Sequence, residues 1–262
     1  MYKFIDANKE HLHTLDDKPL IGTTTLLKEV HPPMLNWYGS GKALEIFGWL
    51  NAKESTEDER LKSIAGPLQK LQEITAKDFL ALLDKAYRNH DEYKKQQGKK
   101  GTDIHELVEN YILRCIQKNG GAPAESETEA IKDFVIWAKE NVKKFLWAEG
   151  YCYSERLWVG GCADFGFIGM DDKVYIGDLK TAKAIYWTNF LQVAGYGIQA
   201  KENGVFTADG EKLGHPKTIN GYMIFQQKPG GKSQVKWQFN VEELEKIFEM
   251  DVMSYKLMQV FK

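Results

Sequence analysis

The chain is poor in the features that mark secreted, membrane-spanning and strongly polycationic proteins. Only three cysteines occur in 262 residues, Cys115, Cys152 and Cys162, an odd and widely spaced set. That excludes a disulfide framework and a four-thiolate metal site, and it makes a reducing, cytoplasmic compartment the default expectation. No stretch approaches the roughly 20 apolar residues of a membrane span, and a run such as Phe134–Ala138 is short and lies in an amphipathic helical pattern. The opening MYKFIDANKEHLH has no apolar h-region, so no secretory signal is expected. Net charge is lacking too: 35 Lys and Arg against 37 Asp and Glu leave −2. The surface as a whole is no polycation, so any nucleic-acid contact must rest on local patches.

What is present is ordinary globular material, 43% apolar and 27% charged, which excludes disorder, collagen and coiled coil. The length suits one large domain with an extension or insertion. The N-terminal half reads helical. A Thr23-Thr24-Thr25 cap starts a short helix that ends at Pro32-Pro33, and helices follow near 41–50, 59–72 and 76–96. Glycines 98 and 101 suggest a mobile basic loop, followed by a helix from about Thr102 to Lys118. Asn119-Gly120-Gly121 stops it. The loop Ala122–Ser126 then leads to a helix ending near Glu149-Gly150. Strand-like runs follow at 151–159, 161–169 and 174–180, then a helix at 187–202, a polar loop at 204–218, strands at 219–227 and 234–239, and a helix at 241–261. The expected fold is α/β, a mixed sheet flanked by helices over 101–262, with a helical extension over 1–100 packed on it.

Asp178-Leu179-Lys180 is the first candidate for chemistry. Residues two apart on a strand share a face, so a carboxylate lies beside an ammonium. The carboxylate suits a hard cation, and the lysine can orient a water. Acidic-x-Lys occurs four times, but only this copy falls on an interior strand; the bland alternative is a strand-end salt bridge. Asp164, flanked by Phe165 and Phe167, is the second candidate. A two-residue loop at 171–172 pairs Asp164 with Leu179 and sets the two carboxylates on opposite faces, so a shared site requires an odd-length loop or a bulge.

His105, at the start of its expected helix, can point at a metal or a phosphate. With Glu106 and Glu109 it invites a zinc-protease reading, but that motif needs a second histidine where Glu109 stands. Gln192 and Tyr196 share a helix face at i, i+4. Glu155 is a further acid on the first strand, alternatively a partner for Arg156.

The order Gly101-x-x-x-His105, Glu155, Gly161-x-x-Asp164, Asp178-x-Lys180, Gln192-x-x-x-Tyr196 resembles the PD-(D/E)XK nuclease superfamily, in its RecB-like branch. That branch includes mitochondrial genome maintenance and phage exonucleases. The resemblance covers about 101–240, and Pro19–Leu27 with Leu35 and Trp37 is similar to the opening segment of phage and mitochondrial members. It implies a restriction-endonuclease-like core. Asp164, Asp178, the Leu179 carbonyl and His105 would be metal ligands, with Glu155 and Glu109 as further candidates. Lys180 would act on the attacking water, and Gln192 and Tyr196 would position the site. The superfamily's proline is replaced by Ala163, and the acid before Lys180 is Asp rather than Glu.

The implied cofactor is Mg²⁺ or Mn²⁺; no iron–sulfur cluster is expected from the three scattered cysteines. The implied partner is DNA, engaged at linear ends, in phage or prophage recombination, repair or processing. A structure-selective endonuclease and a catalytically degenerate DNA-binding protein are the alternatives. A homo-oligomer or a recombination partner protein is left open. Basic clusters at Arg88, Lys94, Lys95, Lys99 and Lys100, at Lys139, Lys143 and Lys144, and at Lys180 and Lys183 would meet the phosphates.

Overall fold

The opening residues alternate between buried Tyr2 and exposed Lys3, the period of a strand rather than a helix. Tyr2–Ala7 (β1) and Glu10–Leu15 (β2) are antiparallel, and Lys18–Pro19 (β3) folds back on β2. Asp16 and Asp17 make that turn with φ of 49° and 59°, the left-handed backbone of a tight hairpin. The helical expectation for this segment is corrected accordingly. The computed structural model describes residues 2–7, 10–32, 36–51, 55–117, 129–182, 184–227 and 232–261. Leu35, the 119–126 stop and loop, and Lys183 lie outside them.

Ile21–Gly22 (β4) precedes Thr23–Val30 (α1). The helix is capped by Gly22 without a side-chain bond; Thr23 lies inside it and donates its hydroxyl to Gly160 O at 3.1 Å. Then come Asn36–Glu45 (α2), Glu57–Glu73 (α3) and Ala76–Gln117 (α4). The break expected at glycines 98 and 101 is absent: α4 runs through both. Each glycine costs about 1 kcal/mol in a helix, but the surrounding Gln and Lys are good helix formers and no proline intervenes. His105 is therefore far from a helix start.

Lys132–Asn141 (α5) gives way to Val142–Ser154 (β5), so the helix expected to reach Glu149 ends at Asn141. Lys143 and Lys144 thus belong to a strand, and Lys143 pairs with Asp172. Val159–Gly169 (β6), Val174–Lys180 (β7) and Trp187–Asn203 (α6) follow. The loop expected at 204–218 contains two short strands, Val205–Phe206 (β8) and Lys212–Gly214 (β9). Gly221–Gln226 (β10), Gln234–Gln238 (β11) and Val241–Gln259 (α7) complete the chain.

Two compact units are present. Residues 33–102 form the smaller one; residues 1–32 join 103–262 in the larger, rather than the extension. In the smaller unit a Thr56–Glu59 capping box starts α3. Gly48 lies so close to Ser63 O that a Cβ would stand 2.3 Å away.

The larger unit is α/β. Its mixed sheet runs β11-β10-β7-β6-β5-β8-β9, with β4 added parallel to β6. β7 pairs antiparallel with β6 and parallel with β10, and α6 lies in the crossover. One face packs Phe145, Phe165, Phe167, Met223 and Phe225 under α5 and the 103–117 part of α4. The other packs Trp147, Ile176 and Ile224 under α6. Leu26, Leu27, Leu191, Phe248 and Val252 join α1, α6 and α7.

Gly166 shows how tight the second face is: a Cβ there would stand 2.1 Å from the Trp147 ring. Gly166→Ala is expected to cost about 1–3 kcal/mol in urea unfolding, and Trp147→Phe in the same chain is expected to return part of it.

Candidate active site

Strands β6 and β7 bring the acidic residues together and then part. Their last registered pairs run from Ile168–Val174 to Phe165–Gly177. The Gly169 N–H donates to Lys173 O and closes a three-residue loop at Met170–Asp172. This is the odd-length connection that a shared site requires, one residue earlier than 171–173. Continued one step, the register sets Asp164 opposite Asp178. The ladder stops short of that pair, and Asp164 Oδ2 instead accepts the Leu179 N–H at 2.7 Å.

The neighbouring strand is irregular at the same level. Ala148 and Phe165 pack under α5, whereas Cys152 and Ala163, an even number of residues away, pack under α6. Regular pleating would keep each pair on one side. The alternation breaks at Glu149, whose φ is 47°. It lies opposite Asp164, between the pairs Ala148–Phe165 and Gly150–Ala163.

Asp178 is only 1% exposed. Lys180 Nζ lies 2.7 Å from its Oδ2, yet neither carboxylate oxygen accepts a hydrogen bond of good geometry. A buried carboxylate left so under-satisfied is costly. Burial pushes Asp178 up to about 6 against the pull of Lys180, and Asp164 adds to the rise. For Lys180, burial works downward, but Asp178 and Asp164 outweigh it and hold the ammonium above the usual lysine value. Lys180 Nζ also donates to Gln192 Oε1 at 3.3 Å, and Gln192 Nε2 donates to Tyr196 OH at 2.7 Å and approaches Thr24 Oγ1 at 3.5 Å. The i, i+4 pair on α6 thus forms a relay that ends on Lys180. Burial keeps Tyr196 protonated, with its pKa well above the usual tyrosine value. Gly161 admits the ring, since a Cβ there would stand 2.4 Å from Tyr196.

His105 reaches the site from α4, its Nδ1 3.6 Å from Asp164 Oδ2. Glu109, one turn on, is half-buried, and burial followed by Glu106 raises its pKa. Glu155 does not reach the site. It is exposed in the turn between β5 and β6, because Gly160 and Gly161 lie within β6 instead of turning the chain. Arg156 pairs with Glu202 and Glu249 rather than with Glu155.

Glu149 is the acid that sequence reasoning missed. Burial, Asp164 and Glu109 raise it to about 7, against His105 and a Cys162 hydrogen bond. The Cys162 thiol, held protonated by burial, lies 3.9 Å from Glu149 Oε2. The signal was the Glu149-Gly150 dipeptide before an aromatic strand, which reads equally well as a helix stop. Cys115, Cys152 and Cys162 are free and lie on α4, β5 and β6.

A buried aspartate met only by the Lys180 ammonium, with Asp164 and His105 nearby, suits a hard divalent cation. Among the described residues no group of three His, Cys, Asp or Glu side chains is gathered as a ready-made metal cage. Asp164 and Asp178 are turned instead to the Leu179 N–H and Lys180.

A carboxyl whose pKa is raised on folding contributes stability below its unfolded value, near 4.5, that is lost as pH rises to about 7. For Glu149 this amounts to at most about 3 kcal/mol. Thermal unfolding in EDTA at pH 5 and pH 8 is expected to show a smaller drop for Glu149→Gln than for the unmodified chain.

No family profile matches the sequence, and no curated protein resembles it significantly.

Proposed function

We propose that the chain is a divalent-metal-dependent DNA exonuclease of PD-(D/E)XK type, with a restriction-endonuclease-like core. The observation that carries this reading is the buried, under-bonded Asp178 carboxylate beside Lys180 and the Asp164–Leu179 contact. A salt bridge kept only for stability would satisfy its carboxylate, since a buried pair is marginal even when well bonded.

Asp164, Asp178, the Leu179 carbonyl and His105 would hold Mg²⁺ or Mn²⁺. When bound, the cation offsets charge on the scissile phosphate and lowers the pKa of a coordinated water. The chain's own groups supply the rest. Lys180 stays protonated and is poised as a charge stabiliser for the phosphorane rather than as a base. Gln192 fixes the lysine's direction, and Tyr196 fixes Gln192. Burial of the cluster strengthens each interaction by excluding water. Uncatalysed phosphodiester hydrolysis is so slow that accelerations on the order of 10¹⁵ are needed, and electrostatics with positioning must supply most of that.

The net charge of −2 also gains a meaning here: two divalent ions would carry it to +2. DNA binding should therefore strengthen with metal and weaken with salt.

End-labelled linear DNA with Mg²⁺ or Mn²⁺ tests the proposal. Asp178→Ala and Lys180→Ala are each expected to lose about 10²–10³-fold in rate; unchanged activity in both overturns the assignment. Gln192→Ala is expected to lose less, through a lower kcat. Cleavage of closed circular DNA would make the enzyme an endonuclease instead.

A further inference from the structure

Trp187 opens α6 with 58% of its surface exposed, unusual for a residue type that is mostly buried. It is nevertheless held. His31 meets the indole edge-on, with ring centroids 4.8 Å apart and planes at 68°. His31 Nε2 in turn lies 2.9 Å from Oδ2 of Asp251, a buried residue of α7. At the N-cap of α6 the Tyr186 N–H donates to Asn189 Oδ1 at 2.8 Å and fixes the first turn.

The position of this indole is set by α1. Thr24 and Lys28 share one face of that helix at i, i+4, and His31 is its C-cap. Thr24 lies at Gln192 in the candidate active site, His31 touches Trp187, and Lys28 is exposed between them. On α6, Trp187 and Gln192 are five residues apart, about 140° around the axis, and α1 meets both, through His31 and Thr24. Lys28, exposed on α1 between those two contacts, thus sets a cation between the braced aromatic ring and the site.

We propose that this α1–α6 face is a track for a single strand of nucleic acid, with Trp187 stacking a base and Lys28 taking a phosphate on the way to the site. The inference rests on the nuclease reading and adds strand preference to it. A base inside a duplex is already stacked on both faces, so the indole selects an unpaired strand or a frayed end. Stacking on an aromatic ring is tolerant of sequence, so no base preference is expected.

The test is fluorescence anisotropy with the full chain in EDTA at low salt, using a labelled oligo(dT) and a blunt hairpin duplex. Trp187→Ala is expected to weaken oligo(dT) binding about tenfold and to leave the duplex nearly unchanged, with Trp187→Phe between. Lys28→Ala is expected to weaken oligo(dT) binding and reduce its salt slope by about one. Phe239→Ala, 62% exposed at the end of β11, is the control and is expected to change nothing. Unchanged oligo(dT) binding by Trp187→Ala, or equal losses for single strand and duplex, overturns the track. If that happens while metal-dependent cleavage persists, the nuclease reading stands alone. A Trp187-dependent preference for oligo(dT) without cleavage supports the track and overturns the nuclease. No oligo(dT) binding by the unmodified chain in EDTA overturns the track, and metal-dependent cleavage then decides the nuclease reading by itself.

Discussion

A side-chain carboxylate standing where a strand would place a carbonyl holds the candidate site in shape. Asp164 accepts the Leu179 N–H just past the last registered pair of β6 and β7. Backbone donors in a sheet interior demand a partner, so the two strands can separate only because this oxygen replaces the missing one. Past that point Asp178 has no registered partner on β6, while the parallel contact with β10 keeps β7 in the sheet through Lys180. The facial switch of β5 at Glu149 occurs at the same level. Thus one break in the ladder admits residues of α4 from one side and of α6 from the other.

The charges gathered there do not balance. Among the described residues, Asp164, Asp178, Glu149 and Glu109 gather with the cation Lys180 and with His105. Burial raises Asp178 and Glu149, so part of the imbalance is relieved by proton uptake. A divalent cation would relieve it in another way. A proton and a metal would then compete for the same buried cluster.

Much of this was legible in the sequence. Asp178 and Lys180 follow from strand periodicity, and Gln192 and Tyr196 from helix periodicity; both sets lie on elements with long, regular patterns. Parity alone stated what the β6–β7 connection had to be. Glu149 was not legible, because its approach to Asp164 depends on a left-handed residue inside a strand. Glu155 was misplaced for a related reason. Adjacent glycines usually signal a turn, but Gly160 and Gly161 make room for His13 and Tyr196. The glycines in α4 were misread in the same way. In each case a glycine chosen for packing or tolerated at modest cost looked like punctuation.

The division of the chain has a consequence for how the molecule is made. Residues 1–32 belong with 103–262, and Ile21 pairs with Val159 while Tyr2 OH reaches Cys152 O. Strands β1 to β4 therefore wait for the strands they pack against until residues well past 150 are available. At about 5–20 residues per second, that is a wait of several seconds or more, with a hydrophobic hairpin exposed. Closing so long a loop adds little to the equilibrium cost, because closure entropy grows only logarithmically. It weighs on the rate, as non-local pairing does generally. Chain ordering, more than stability, therefore sets the interval in which this protein is most open to aggregation.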